Sequence, residues 1–290
     1  MYIRRMFAQK PCVFSLEFFP PKQELNWPKL QTTLQQVKGL QPDFVSITCS
    51  AGGSGTGGVS TCQVASYVKN QLDLEPLAHL TCIGTDRRGV EENLDRLFAA
   101  GVRNLMLLRG DRNPAVAQFR DFEHASDLAR FVRGHYGAFG LSGACYPEKH
   151  PEAESLCADV DKLKIKQEQG VTHLITQMFF DNLYFYRFMN LIRKQGIDLP
   201  VSAGIMPIVR RSQIDRTLAL SDAKVPEAFH RLLVRWQDDE AGLYSAGIDY
   251  AIGQLRDLIE AGADGVHIYA MNNADVAQRI HRGIADLLSP

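Results

Sequence analysis

The sequence predicts an α/β fold: a (β/α)8 TIM barrel with extra helical structure between strands seven and eight. Three observations predict it. Short β-branched or apolar runs alternate with amphipathic helical patterns along the chain. The alternation occurs eight times, which implies a parallel sheet and matches a closed barrel better than an open one. No Pro/Ser-rich linker or low-complexity tract divides the 290 residues, so residues 1–290 read as a single domain.

Strands are expected at Val13–Phe18, Phe44–Thr48, Leu77–Leu80, Asn104–Leu108, Leu141–Cys145, Leu174–Met178, Val201–Ile205 and Gly265–Tyr269. The first alternates, placing Phe14, Leu16 and Phe18 toward the helices and Ser15 and Glu17 toward the barrel interior. Helical spacing is plain in Leu94, Leu97 and Phe98 and again in Leu128, Phe131 and Val132. Gly101, Gly170, Gly196 and Gly262 each stand between a helical pattern and the next strand, where a left-handed residue closes a helix. Two segments exceed a minimal unit. Ala51–Gly58 is glycine-rich and reads as a mobile loop, since it matches neither a P-loop nor a dinucleotide fingerprint. Ser221–Gly247 contains helical spacing over Val225–Trp236.

With 45% hydrophobic and 22% charged residues, the composition is that of a globular protein long enough to need no disulfide or metal staple. The net charge of −1 and the lack of a basic run argue against a nucleic-acid partner. No apolar stretch reaches the roughly 18 residues of a membrane span, and no signal peptide is recognisable. Cys12, Cys49, Cys62, Cys82, Cys145 and Cys157 form no C-x-x-C pair and read as reduced thiols of a cytoplasmic protein, with no metal site expected.

The strand ends carry the polar residues. The first ends in Glu17 before Phe18-Phe19-Pro20-Pro21, the second in Thr48, and the third carries His79 and Thr81. The fourth ends in Arg109-Gly110-Asp111 and the fifth in Tyr146-Pro147-Glu148, followed by His150. The sixth carries Gln177 and ends in Asp181; the eighth ends in Tyr269 and Asn272. In a barrel these ends share one rim, where catalytic groups gather. An acid at a strand end is commonly a helix cap, Arg109 and Asp111 read equally as an ion pair, and His79 as a satisfied core histidine. Gln177 needs hydrogen-bond partners, which a neutral network would supply as well as a substrate. Glu17 stands out, because an inward carboxyl is costly unless paired or protonated.

At these residues the sequence resembles the methylenetetrahydrofolate reductase family. The matching segments are Ser15-Leu16-Glu17-Phe18-Phe19-Pro20-Pro21, Phe44-Val45-Ser46-Ile47-Thr48, His79-Leu80-Thr81-Cys82, Leu108-Arg109-Gly110-Asp111, Tyr146-Pro147-Glu148-Lys149-His150-Pro151-Glu152-Ala153, Thr176-Gln177-Met178-Phe179-Phe180-Asp181 and Gly204-Ile205-Met206-Pro207. They run in family order along nearly the whole chain, which resembles the short bacterial type consisting of the catalytic barrel alone.

The resemblance implies a non-covalent FAD, NADH or NADPH as hydride source, and 5,10-methylenetetrahydrofolate as substrate. It implies Glu17 as general acid for opening the folate ring, in a water-poor mouth beside Phe18 and Phe19. It implies Asp111 as a residue tuning the flavin and binding the pterin, and Thr48 near flavin N5. Gln177 would serve folate and nicotinamide, and Gln213 the substrate side. His79, Arg109, Gly110, Tyr146, His150, Ala153, Asp159 and Lys166 match FAD-binding positions, Lys166 suiting the pyrophosphate. The chain departs from some relatives at Lys162, Ile165, Arg211 and Asn273. Some relatives take electrons from a partner subunit, and the resemblance is compatible with a homo-oligomer. Two readings compete: a pterin-binding methyltransferase barrel, which needs no flavin, and an FAD-carrying subunit that takes electrons only from a partner protein. Flavin absorbance separates the first and an assay with nicotinamide alone the second.

Overall fold

Eight parallel strands close into a barrel in sequence order, β1 against β8. The computed structural model describes residues 1–49, 58–110, 121–214, 217 and 223–288. Asp111 and most of the glycine-rich Ala51–Gly58 segment lie outside the described residues. The strands are β1 (Val13–Phe18), β2 (Phe44–Ile47), β3 (Pro76–Thr81), β4 (Asn104–Leu108), β5 (Gly140–Cys145), β6 (Val171–Thr176), β7 (Val201–Ile205) and β8 (Gly265–Tyr269). The helices are α1 (Ile3–Met6), α2 (Trp27–Lys38), α3 (Thr61–Asn70), α4 (Arg87–Ala99), α5 (Ala125–His135), α6 (Leu156–Glu168), α7 (Asn182–Lys194), α8 (Glu227–Arg235), α9 (Glu240–Glu260) and α10 (Ala274–Leu288).

Local chemistry accounts for where the helices start and stop. Ser60, Asp86, Ser155, Asp181 and Asp239 each accept a hydrogen bond from a first-turn backbone amide. Gly101, Gly170, Gly196 and Gly262 are left-handed, with φ of 79°, 98°, 73° and 82°, at the helix ends where the sequence places them. β2, β3 and β5 differ from expectation by one residue at one or both ends, and β6 differs by more. β6 begins at Val171, directly after left-handed Gly170, and pairs from Leu141↔Val171 onward. It ends at Thr176, and Gln177 follows it, its amide donating to the Cys145 carbonyl of β5 at 2.7 Å. The extra helical structure before β8 is present as α8, with α9 supplying the returning helix of the last unit.

Outward residues of the strands pack on the helices in one large cluster that includes Phe14, Leu16, Phe18, Val45, Ile47, Leu105, Leu174 and Ile268. Inward residues form a second, smaller cluster of Val13, Phe44, Leu77, Met106 and Ile175, joined by Ile3 and Met6. The short α1 thus plugs the N-terminal end of the barrel. The Asn104 side chain fixes it there: Oδ1 accepts from the Ile3 amide at 3.0 Å and Nδ2 donates to the Met1 carbonyl at 2.8 Å. With one end stoppered by apolar residues, the polar interior lies toward the other end, where β-strand carbonyl ends face the loops. No helix among the described residues is long and apolar enough to cross a membrane.

Candidate active site

The inward phase of β1 puts Ser15 and Glu17 on the barrel axis. Glu17 pairs in register with Ser46 on one side and Tyr269 on the other, and Ser15 with His267. The Glu17 side chain keeps 18% exposure, whereas His79 keeps 8% and His267 none. Its Oε2 lies 3.4 Å from His267 Nε2 and 3.5 Å from His79 Nε2. One carboxyl thus stands between two buried imidazoles at the upper end of the interior.

Serines from adjacent strands orient both rings. Ser46 Oγ is 2.7 Å from His79 Nε2. Ser15 Oγ is 2.8 Å from His267 Nδ1 and donates its hydroxyl proton to the Val266 carbonyl at 3.2 Å. The His267 ring thus has Ser15 Oγ at one nitrogen and Glu17 Oε2 at the other. Burial pushes His79 down to about 4, with the Glu17 charge opposing, so its ring is neutral at neutral pH. A third imidazole, His173, is held between Ser142 Oγ and Ser202 Oγ at 2.9 Å each, and burial, reinforced by His267, pushes it down to about 3.

Tyr269 crosses the site floor. Its hydroxyl donates to the Thr176 carbonyl at 2.6 Å, while burial and the neighbouring Glu17 charge raise it well above the ordinary tyrosine range. It passes over Gly204, where a Cβ would stand 2.7 Å from the Tyr269 hydroxyl oxygen. Glycine is required there by close approach.

A second cluster follows β4 and β5. Arg109 forms a two-pronged ion pair with Glu152, 2.7 Å on each prong, and this hydrogen bonding raises the guanidinium above its ordinary value. The Glu152 amide donates to His150 Nδ1 at 3.1 Å, and the His150 amide to Asp159 Oδ2 at 2.8 Å. Tyr146 meets His150 edge to face at 4.8 Å. Lys149 donates to the carbonyls of His150, Pro151 and Ala153, shaping the loop that bears Ala153. Lys166, half-buried on α6, donates to the Ala144 carbonyl at 2.8 Å. Burial holds its ammonium below the ordinary lysine value, with Cys145 and Asp159 opposing.

Glu17, Thr48, His79, Arg109, Gly110, Tyr146 and Gln177 all stand at or just beyond the C-terminal ends of parallel strands in one closed barrel. Gln213 braces the loop after β7: its Oε1 accepts from the Val209 amide at 3.1 Å and its Nε2 donates to the Pro207 carbonyl at 3.1 Å. Asp181 caps α7, Asn273 caps α10 through the Val276 amide, and Arg211 donates to the Gln237 carbonyl. Sequence reasoning placed Ser15 in the interior but missed His267, His173 and the serines that hold His173, Ser142 and Ser202. The signal was available for His267, which alternates in phase with Gly265 and Tyr269 as Glu17 does with Val13 and Ser15. Among the described residues no group of three or more His, Cys, Asp or Glu is placed to hold a metal.

A profile of the family described as methylenetetrahydrofolate reductase matches residues 2–284. The chain is 31% identical over 264 residues to "Methylenetetrahydrofolate reductase 1" of Schizosaccharomyces pombe, covering 89% of this chain and 43% of that one. It spans less than half the length of that fungal relative. It is 30% identical over 266 residues to "5,10-methylenetetrahydrofolate reductase" of Pectobacterium carotovorum, covering 92% of this chain and 88% of that one. Among solved structures it resembles, at 12% identity and a TM-score of 0.67, a Clostridium thermocellum protein described as binding two copies of 5-methyl-5,6,7,8-tetrahydrofolic acid; the match covers 98% of this chain and 99% of that one. At that identity the likeness is one of fold.

Proposed function

Because the chain belongs to the methylenetetrahydrofolate reductase family, we propose that it reduces 5,10-methylenetetrahydrofolate to 5-methyltetrahydrofolate with a non-covalent FAD, and that Glu17 is the general acid. The observation that carries this reading is the placement of Glu17, the inward carboxyl at the catalytic end of the barrel, 3.4 Å from Nε2 of the buried His267.

The donor set after β4 and β5 fits a flavin dinucleotide. Arg109 and Lys166 supply positive charge for a pyrophosphate, Tyr146 and His150 supply ring edges, and Asp159 and Ala153 lie on the same loop and helix start. Gly110 is left-handed, and a Cβ there would stand 2.4 Å from Ile83 Cγ2, so this turn accepts only glycine. Thr48 directly follows β2 and His79 lies on β3, one residue past the last register pair Ile47↔Ala78, and Asp111, outside the described residues, is proposed to complete the set beside the flavin and pterin. When bound, the flavin supplies the hydride.

The rest is proton handling by the chain. Reduction of the methylene bridge needs its bond to N10 to break, the electron pair staying on N10 and the methylene carbon becoming an N5 iminium that accepts the hydride. Glu17 delivers the proton that N10 needs. His267, held by Ser15 at Nδ1, places its Nε2 3.4 Å from Glu17 Oε2 and so orients the carboxyl before transfer. Neutral His79 on the other side adds no opposing charge. Gln177 and Gln213 are proposed to contact the folate, and NADH or NADPH to reduce the flavin; a partner subunit is the alternative donor.

Stopped-flow absorbance of the flavin, without oxygen, tests the assignment. Glu17→Gln keeps the size and removes the acid. Reoxidation of the reduced flavin by methylenetetrahydrofolate should slow by roughly 10²–10⁴-fold, while reduction by a competent donor proceeds. Equal slowing of both halves would assign Glu17 a structural role, and an unimpaired folate half would remove it from the chemistry. Offering NADH, NADPH and reduced ferredoxin in turn identifies the donor by which of them bleaches the flavin.

A further inference from the structure

Glu17 is held loosely by its side-chain neighbours. Its contacts to His267 and His79, at 3.4 and 3.5 Å, are at the long limit for hydrogen bonds. Its position therefore depends on the backbone that bears it. On the β2 side that backbone is secured by the Thr48 amide, which donates to the Phe18 carbonyl at 3.0 Å. On the β8 side the strand register stops at Glu17↔Tyr269.

Beyond Tyr269 the chain makes a tight turn. The Asn273 amide donates to the Ala270 carbonyl at 2.9 Å, and both central residues, Met271 and Asn272, are left-handed at φ 49° and 56°. This conformation costs a non-glycine residue roughly 1–2 kcal/mol, asparagine tolerating it best. Such a pair persists only where its surroundings hold it. Here the turn aims the Asn272 carboxamide back at β1. Its Oδ1 accepts from the Phe19 amide at 2.9 Å and its Nδ2 donates to the Phe19 carbonyl at 2.8 Å. A primary carboxamide placed this way does what a peptide group of a neighbouring strand would do. The β1–β8 seam is thus continued two residues past Glu17 by a side chain.

We propose that Asn272 is a positioning residue for Glu17: its two-way hydrogen bond to Phe19 closes the barrel seam above the site and sets where the proton donor stands. The proposal rests on the reading of Glu17 as that donor. Asn272 touches no reacting atom and acts through the β1 backbone.

The test uses the full chain with FAD bound and four variants: Asn272→Gly, Asn272→Asp, Glu17→Gln and the double variant Glu17→Gln with Asn272→Gly. Glycine keeps the left-handed turn and removes both hydrogen bonds. Aspartate keeps the acceptor for the Phe19 amide and loses the donor. Hydrogen exchange at the Phe19 amide reads the clamp independently of turnover; it should accelerate in Asn272→Gly and stay protected in Asn272→Asp. The folate half-reaction should slow by roughly 10–10²-fold in Asn272→Gly, the scale expected of a misplaced group, and by less in Asn272→Asp. In the Glu17→Gln background Asn272→Gly should add almost nothing. If it slows that background as much as it slows the parent, Asn272 acts elsewhere and the proposal fails while Glu17 stands. Unchanged exchange and rate in Asn272→Gly would also overturn it. If Glu17→Gln alone runs the folate step at the parental rate, the donor reading falls and this proposal with it. Should the glycine variant not fold, Asn272→Asp carries the same comparison.

Discussion

The Nδ1 atom of His267 lies 2.8 Å from Ser15 Oγ, and the Nε2 atom of the same ring lies 3.4 Å from Glu17 Oε2. Two inward residues of β1, one step of alternation apart, thus address the two nitrogens of one fully buried imidazole on β8. Ser15 thus orients the ring whose other nitrogen faces Glu17.

Ser15→Ala removes the hydrogen-bond partner of His267 Nδ1 and leaves that buried ring nitrogen without it. The expected cost is about 1–3 kcal/mol of folding stability, read from urea denaturation. The ring would also lose the contact that orients its Nε2 toward Glu17, so the folate half-reaction should slow. A variant as stable and as fast as the parent would remove Ser15 from the arrangement.

Acid should weaken the fold through two histidines. Burial lowers His79 to about 4 and His173 to about 3, while in the unfolded chain both titrate near the ordinary 6.5. Between those values the unfolded chain binds protons that the folded chain refuses. Stability is therefore full above about pH 6.5 and declines as the pH falls toward 4, by up to about 1.36 kcal/mol per pH unit for each group. His173→Gln, which still has hydrogen-bonding capacity for the serines, should flatten this limb in denaturation profiles between pH 7 and 4.5. An unchanged slope would mean His173 is not buried neutral.

Gly204→Ala puts a methyl group where Thr176 O would be 2.5 Å and Tyr269 Cε2 2.8 Å away. The ring must leave its hydrogen bond to Thr176, and because Tyr269 is the register partner of Glu17 the site moves with it. The expected loss is about 1–3 kcal/mol, as for other overpacked positions, with a fall in the folate half-reaction. A parental melting curve would show that the site yields without cost.

Lys166→Ala should weaken FAD retention while leaving the fold intact. A charge-assisted hydrogen bond is worth about 1.5–3 kcal/mol, so the dissociation constant should rise roughly 10–10²-fold. Flavin absorbance after gel filtration and far-ultraviolet circular dichroism together check it. Retention equal to the parent would place Lys166 in the wall of the barrel alone, through its bond to Ala144.

Much of this protein is legible residue by residue. Helix ends are local: a left-handed glycine at 101, 170, 196 and 262 and caps such as Asp86 and Asp181 act within a few residues, so the alternation of eight units stands out without any tertiary information. Strand phase is local too, which is why Ser15 and Glu17 can be assigned to the interior from β1 alone. Strand ends were less secure. β6 starts three residues before its expected beginning, directly after the left-handed Gly170 that closes α6, and ends two residues before its expected end, leaving Gln177 just beyond it.

Partnership is what the tertiary structure decided. Arg109 reaches Glu152, 43 residues away, and Glu17 meets His267, 250 residues away. Asn272 reaches Phe19 across 253 residues. These contacts depend on barrel closure, on the register between β1 and β8, and on how far each loop folds back over its strand. Those quantities come from packing the whole chain at once. A period-two pattern says which face a residue takes; only the closed sheet says which residue it will face.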